Sequence, residues 1–186
     1  MSKITRVIAR QVFDSRGNPT IEAEVFSNEK SSSAICPSGA STGSYEAHEK
    51  RDKKNKKYFG KSVFGPVKYI NSKISKKLLN KNVHNQELID SILINLDGTK
   101  HKTKIGANAI LAVSMAVKKL SAKVKKLPLY KTFFLKNNFQ LPYPLMNIIN
   151  GGAHANNGLR IQEFMIRPDR AKSFSEAMRI CFVVIK

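Results

Sequence analysis

The stretch ITRVIARQVFDSRGNPTIEAEVF, residues 4–26, decides the first half of the fold. It consists of two extended segments on either side of a turn of small and polar residues at positions 14–19. In the second segment apolar residues alternate with glutamates over positions 21–25, which is the period of a strand with one buried face. A third strand is expected around residues 34–36. The stretch therefore predicts a hairpin that extends into a three-stranded antiparallel meander.

Helical periodicity replaces the strand pattern further along the chain. Apolar residues recur at steps of three and four over residues 63–78 and again over residues 88–96, where an Asp-Gly pair ends the pattern. A third helix, at about residues 107–125, is lined by small side chains, which favours close packing in a crowded interior. The meander and these helices predict an α+β N-terminal domain over residues 1–140.

A second domain is expected over residues 141–186, after a turn-rich stretch. Short apolar strands are predicted at 145–150 and 164–166. The sequence SFSE at 173–176 is a capping box, in which the serine caps one free amide and the glutamate reaches back to another. The helix that it opens runs to Lys186 with no further element to cover it, so we expect the chain to stop inside a domain.

The composition indicates a folded protein rather than a disordered or membrane-spanning one. The chain has 186 residues, of which 41% are hydrophobic, and a formal net charge of +20. This apolar content is above that of disordered chains, and no run of about 18 uncharged apolar residues is present. The two cysteines, Cys36 and Cys181, show no C-x-x-C spacing. We therefore expect a soluble protein of the reducing cytoplasm.

The positive charge is concentrated where acidic residues are missing. Residues 53–86 contain ten lysines and no carboxylate, and residues 98–162 contain eleven basic residues and no carboxylate. Such a basic surface attracts nonspecific nucleic acid or another anionic surface in a salt-dependent way. Compositional drift towards Lys, Asn and Ile is the alternative, and it is favoured because no nucleic-acid-binding motif accompanies the lysines.

Two loops carry residues that suit chemistry. The segment PSGASTGS, residues 37–44, combines two glycines with four hydroxyls, which suits close approach to phosphate or metal but also an ordinary flexible loop. The segment GGAHANN, residues 151–157, places His154 on a glycine-rich turn, and Gln162 and Glu163 follow. The histidine and the glutamate could orient a substrate or transfer protons, whereas a lone loop histidine is more often merely solvated.

Seven phrases of this sequence together resemble enolase in their order and spacing. They are FDSRGNPT (13–20), PSGASTG (37–43), LDGT (96–99), GANAILAVS (106–114), PLY (128–130), MNIINGGAHA (146–155) and QEFMI (162–166). The resemblance covers essentially the whole chain. It implies that residues 1–140 form the enolase N-terminal domain, and that residues 141–186 form the truncated start of an eight-stranded α/β barrel of the TIM type.

The resemblance also implies a function and a set of site residues. Enolase (phosphopyruvate hydratase) is a lyase of glycolysis and gluconeogenesis that interconverts 2-phosphoglycerate and phosphoenolpyruvate with two Mg²⁺ ions. By motif, Ser41 would ligate the second Mg²⁺ beside the substrate phosphate, and His154 would close over the substrate as a catalytic and binding residue. Glu163 would be a catalytic residue in the hydrogen-bonded network that assists loss of the substrate hydroxyl, and Gln162 would bind the substrate nearby. Members of the family form homodimers.

The family pattern also predicts that this chain alone is inactive. The catalytic lysine, the principal acid glutamate and the three carboxylates of the first metal site have no counterpart in residues 1–186. After Asp97 the only acidic residues are Glu163, Asp169 and Glu176, too few for a magnesium centre. Three hypotheses remain open: an enolase completed by a second polypeptide, a non-catalytic basic remnant or scaffold module, and the product of a disrupted gene.

Overall fold

The computed structural model describes residues 2–28, 30–39, 43–54, 56–133 and 139–186. The chain divides into two compact units, Met1–Leu135 and Lys136–Lys186, and each is described by itself. Among the described residues, none of the helices combines the length and the apolarity that crossing a bilayer requires.

A three-stranded antiparallel sheet forms one layer of the first unit. Its strands, in sheet order, are β1 (Arg6–Phe13), β2 (Pro19–Ser27) and β3 (Lys30–Cys36). In the central strand Ala23 pairs with Ala9 on one side and Ala34 on the other. All three alanines are buried, because alternation of side chains along each strand turns the same face of the sheet to the core. The predicted meander is confirmed.

Four α-helices complete the described part of the first unit. They are α1 (Phe64–Tyr69), α2 (Ser75–Leu78), α3 (Gln86–Asp97) and α4 (Ala107–Val124). A π-helical turn, Ile70–Ile74, joins α1 to α2. Because a π turn holds more residues than an α turn, apolar residues four apart stay on one side, and Ile70, Ile74 and Leu78 are all fully buried. The three predicted helical regions are present, and the π turn was not predicted.

Helix α4 covers the sheet and closes the core. It packs against β2 and β3 through small residues, among them Ala109, Ala112 and Ala116, each fully buried. Small side chains let the helix axis approach the sheet closely, as the sequence predicts. Helix α3 packs beside α4 and is followed by Gly98, which ends the helix in the left-handed conformation with a φ of 69°.

Residues 139–186, the described part of the second unit, contain a strand pair and one α-helix. Strands β4 (Met146–Asn150) and β5 (Glu163–Ile166) pair antiparallel, and helix α5 spans Phe174–Ile185. Strands of a regular TIM barrel are parallel, which requires a crossover connection of a dozen or more residues, usually a helix. Here the connection contains only the 3-10 turn Gly152–His154, so the chain returns as a hairpin-like loop.

Helix α5 begins with the predicted cap but leaves most of its apolar side chains exposed. The Ser173 hydroxyl accepts from the backbone N–H of Glu176 at 3.1 Å, and the Glu176 carboxylate accepts from the Lys172 N–H at 2.8 Å. Ala177 and Cys181 are the buried residues of the helix. The last four apolar residues are more than half exposed: Phe182, Val183, Val184 and Ile185.

Candidate active site

The loop between β4 and β5 brings three predicted site residues together. Asn150, the last residue of β4, pairs with Glu163, the first residue of β5, so the loop begins and ends at one point. The backbone N–H of Gly151 donates to the Gln162 carbonyl at 2.9 Å, which places Gln162 beside the start of the loop. His154 then lies on the 3-10 turn that follows, close to both residues.

Gly151 is required for this closed loop. A Cβ atom at this position would lie within 3.0 Å of the Leu159 carbonyl oxygen and even closer to the Ile161 carbonyl oxygen. The next residue, Gly152, donates its N–H to the Leu159 carbonyl at 2.8 Å. The backbone at Gly151 therefore folds back too tightly for a side chain, and Gly152 adopts a positive φ of 53°, which glycine tolerates best.

Hydrogen bonds on both ring nitrogens orient His154. Its Nδ1 lies 2.9 Å from Glu163 Oε1, and its Nε2 lies 2.7 Å from the amide nitrogen of Gln162. Because an amide nitrogen only donates, Nε2 accepts and the ring proton is on Nδ1, where it is donated to the carboxylate. The pair of contacts selects one neutral tautomer of the histidine.

The cluster is open enough to meet a small molecule. The side chains of His154 and Glu163 keep 24% and 31% of their surface exposed. A histidine held by a carboxylate can pass a proton or contact an anionic ligand once Gln162 releases its Nε2. The arrangement is therefore suited to proton transfer or to substrate orientation.

Ser41 lies outside the described residues, but the segment before it is anchored by a network that sequence reasoning missed. The Ser38 hydroxyl donates to Glu49 at 2.5 Å and accepts from Arg51 Nη2 at 2.6 Å. The same Arg51 nitrogen donates to Glu49 at 2.7 Å, and Arg16 Nη2 donates to the Ser38 carbonyl at 2.6 Å. Nothing in the spacing of these residues indicates the network, because it joins segments distant in the sequence.

The described residues do not supply a metal centre by themselves. No group of three His, Cys, Asp or Glu side chains that could hold a metal ion occurs in the described part of the chain. Asp169 is engaged by the Arg167 guanidinium at 2.5 and 2.9 Å, a contact that lowers the pKa of the carboxyl. Glu176 caps α5. Mg²⁺ needs several converging oxygen ligands, and these carboxylates do not converge.

The comparisons with known proteins match both units. The family described as "Enolase, N-terminal domain" matches residues 4–133, and "Enolase, C-terminal TIM barrel domain" matches residues 138–186. The chain belongs to the enolase family. The predicted family and fold class, an α+β N-terminal domain followed by the start of an α/β barrel, are confirmed.

Curated relatives in this family are longer than the chain. It is 77% identical over 185 residues to the enolase of Pelagibacter ubique, covering 100% of this chain and 44% of that protein. It is 54% identical over 179 residues to the enolase of Methanococcus maripaludis, covering 96% of this chain and 42% of that protein. The Methanococcus vannielii enolase gives the same figures of 54%, 96% and 42%. The chain thus spans less than half the length of these relatives.

Proposed function

We propose that this chain supplies the N-terminal domain, residues 1–140, and the first strands and helix of the barrel, residues 141–186, of a cytoplasmic enolase. The reaction is the interconversion of 2-phosphoglycerate and phosphoenolpyruvate in glycolysis and gluconeogenesis, by a homodimer in the whole enzyme. The observation that carries the proposal is the hydrogen-bonded set His154, Gln162 and Glu163, in a chain 77% identical to an enolase along its length.

Each residue of the cluster has a role in this proposal. Glu163 fixes the ring of His154 and belongs to the acid-side network that assists loss of the substrate hydroxyl. His154 closes over the substrate, and Gln162 binds it after exchanging its contact with Nε2 for one with the ligand. Ser41 would contact the substrate phosphate and help to hold the second Mg²⁺, which would stabilise the charge that develops on the substrate.

A polypeptide of residues 1–186 is inactive alone under this proposal. The reaction needs a base for the substrate proton and a metal centre for the charge that develops, and the described residues assemble no such centre. A non-catalytic basic remnant or scaffold module is the competing proposal.

A fusion protein distinguishes these proposals. Residues 1–186 are joined to the part of the Pelagibacter ubique enolase that follows its region of similarity to this chain. We expect the fusion to dehydrate 2-phosphoglycerate with excess Mg²⁺, and Glu163→Gln to lower kcat by about 10²-fold or more. His154→Ala should lower kcat as well.

The matched control is Glu176→Gln, which changes a carboxylate outside the cluster. Glutamine also functions in a capping box, so the rate should be unchanged. A folded fusion with no activity would support the remnant, and an active fusion insensitive to Glu163→Gln would contradict the roles given to the cluster.

A further inference from the structure

A short loop of the first unit exposes an aromatic ring among lysines. The loop is the 3-10 turn Lys57–Gly60, in which 96% of the surface of Phe59 is exposed. Single exposed apolar residues are common, but a ring this exposed buries almost none of its apolar surface. An unusual backbone conformation of the loop keeps the Phe59 ring in this exposed position.

The backbone of this loop is left-handed at three successive residues. The φ angles of Tyr58, Phe59 and Gly60 are 56°, 53° and 75°. Bulky residues rarely adopt this region, and a strained conformation persists only where its surroundings impose it. Here the Tyr58 ring packs on Phe13 and Phe64, with ring centroids 5.7 and 6.2 Å away. Anchoring of Tyr58 leaves the next ring directed to solvent.

A basic groove adjoins this loop. It has a volume of about 690 Å³ and is lined by His48, Lys50, Arg51, Asp52, Lys53, Lys54 and Thr103. The loop contacts it at Gly60, where a Cβ atom would lie 3.0 Å from the Lys53 carbonyl oxygen. The acidic member, Asp52, already accepts hydrogen bonds from Ser62 and from the Gly65 N–H. These bonds leave the charge of Asp52 in place, and Arg51 pairs with Glu49, so the excess of positive charge in the groove comes from Lys50, Lys53 and Lys54.

Further exposed lysines lie beside this loop in the sequence and on the helix that follows it. Lys56 is exposed, and helix α1 begins at Phe64, which contacts the Tyr58 ring. Lys68 is also exposed and lies one helical turn after Phe64, so it is on the same face. Within the part of the chain that the structure describes, Lys53, Lys54 and Lys56 form no ion pair with a carboxylate.

We propose that the groove and the Phe59 loop together form a binding site for single-stranded nucleic acid. Phosphates lie along the lysines of the groove, and one unpaired base stacks on the Phe59 ring. A positive groove beside an aromatic platform is the combination that binds single strands with little sequence preference. A duplex offers the phosphates but keeps its bases stacked, so it gains nothing from the ring. An anionic membrane is less suited, because Phe59 is the one nearly fully exposed apolar side chain of the described loop.

The test is fluorescence anisotropy with a labelled oligothymidine of about 10 nucleotides, within the usual site size. We expect Phe59→Ala in the 186-residue chain to weaken binding about 5- to 150-fold, the range of one base–aromatic stack. Lys53→Gln with Lys54→Gln should reduce the slope of log K against log salt by about 1.4, since each lost phosphate contact removes about 0.7.

A tryptophan variant reports the stacking directly. The chain contains no tryptophan, so Phe59→Trp introduces the only indole. We expect this variant to retain affinity and its fluorescence to be quenched when oligothymidine is added. Circular dichroism should be unchanged in every Phe59 variant, because the side chain contributes little to the core.

Matched controls separate the site from general attraction to a basic protein. Tyr45 is also 96% exposed but precedes Glu46, so Tyr45→Ala should leave the affinity unchanged. The double change Lys125→Gln with Lys126→Gln removes an exposed lysine pair at the end of α4, and it should affect binding less than the change at Lys53 and Lys54.

Three results would overturn the proposal. They are equal affinity of the parent and Phe59→Ala for oligothymidine, equal affinity of the parent for single strand and duplex, and absence of oligonucleotide binding at low salt. Binding to phosphatidylserine vesicles is measured in parallel. If the chain binds vesicles in a way that depends on Phe59 and does not bind oligonucleotides, the surface binds a membrane instead.

Discussion

The two compact units differ in how completely they cover their own apolar side chains. In the first unit Ile21, Val25 and Leu120 are fully buried between the sheet and α4. In the second unit Phe182 and Val183 keep 62% and 58% of their surface exposed. Both units contain well-formed strands and capped helices. The comparison teaches that local signals suffice to form an element, whereas a closed core requires a second layer packed on it.

Limited proteolysis should show the largest difference between the units. We expect cleavage to begin after Asn138 or within residues 141–186, at least about tenfold faster than within residues 1–135, because few buried contacts oppose local opening there. Mass spectrometry of the time course identifies the first cuts. If residues 141–186 of a monomeric chain resist the protease as well as residues 1–135 do, the two units do not differ in local stability and the prediction is wrong.

Truncation of apolar side chains should reproduce the same contrast in stability. Leu120→Ala should lower the free energy of unfolding of the first unit by about 2–5 kcal/mol, because it leaves a cavity in the closed core. Val184→Ala, in exposed helix α5, should change it by less than about 0.5 kcal/mol. Urea denaturation followed by circular dichroism measures both. Equal effects would mean that α5 is part of the same cooperative core.

A buried carboxylate gives the first unit a dependence on pH. Asp97 is 2% exposed. Burial alone would raise the pKa of its carboxyl group, but hydrogen bonds from Thr99 and from the Ile105 N–H, together with the charge of Lys102, lower it. The net result is a pKa below the usual 3.8. A lowered pKa in the folded state stabilises the fold above about pH 4, and this contribution is lost as the pH falls further.

Replacement of this carboxylate tests the dependence. Asp97→Asn should cost about 1–3 kcal/mol at neutral pH, since asparagine has a single acceptor oxygen and its NH₂ group would face the second of the two N–H donors, Thr99 and Ile105. The difference from the parent should shrink as the pH falls below 4. Urea titrations at several pH values provide the measurement, and a difference independent of pH would contradict the role of the charge.

Two matched helix caps should give the smallest effects. Asn85 caps α3 in the first unit and Ser173 caps α5 in the second, and each accepts from an N–H at 3.1 Å. Asn85→Ala should lower the unfolding free energy of the first unit by about 1 kcal/mol. Ser173→Ala should reduce helix content without moving that transition. A shift in the main transition with Ser173→Ala would indicate that the units unfold together.

Much of the fold follows from sequence because its signals are local. The alternation over residues 21–25 gives the buried face of β2, and the glycine at position 98 gives the end of α3. The π turn Ile70–Ile74 could not be predicted, since residues four apart fit an α-helix nearly as well. The antiparallel pairing of β4 with β5 could not be predicted either, because it depends on contacts between two segments, and the periodicity within one segment carries no information about such contacts.

The candidate site was predicted in residue type but not in geometry. Resemblance to enolase nominates His154, Gln162 and Glu163, and the structure brings these side chains into hydrogen-bonding distance. Their roles stay predictions, as does that of Ser41, which lies outside the described residues. The contacts of Arg51 were not predicted, because they join residues brought together only by the tertiary fold.

The central claim of the proposed function is that this chain carries one part of an enolase site and depends on further residues for turnover. The most direct measurement is dehydration of 2-phosphoglycerate by the purified 186-residue polypeptide with excess Mg²⁺. The account predicts no turnover above background, because the described residues assemble no metal centre. Turnover that increases with protein concentration and disappears on Glu163→Gln would contradict it.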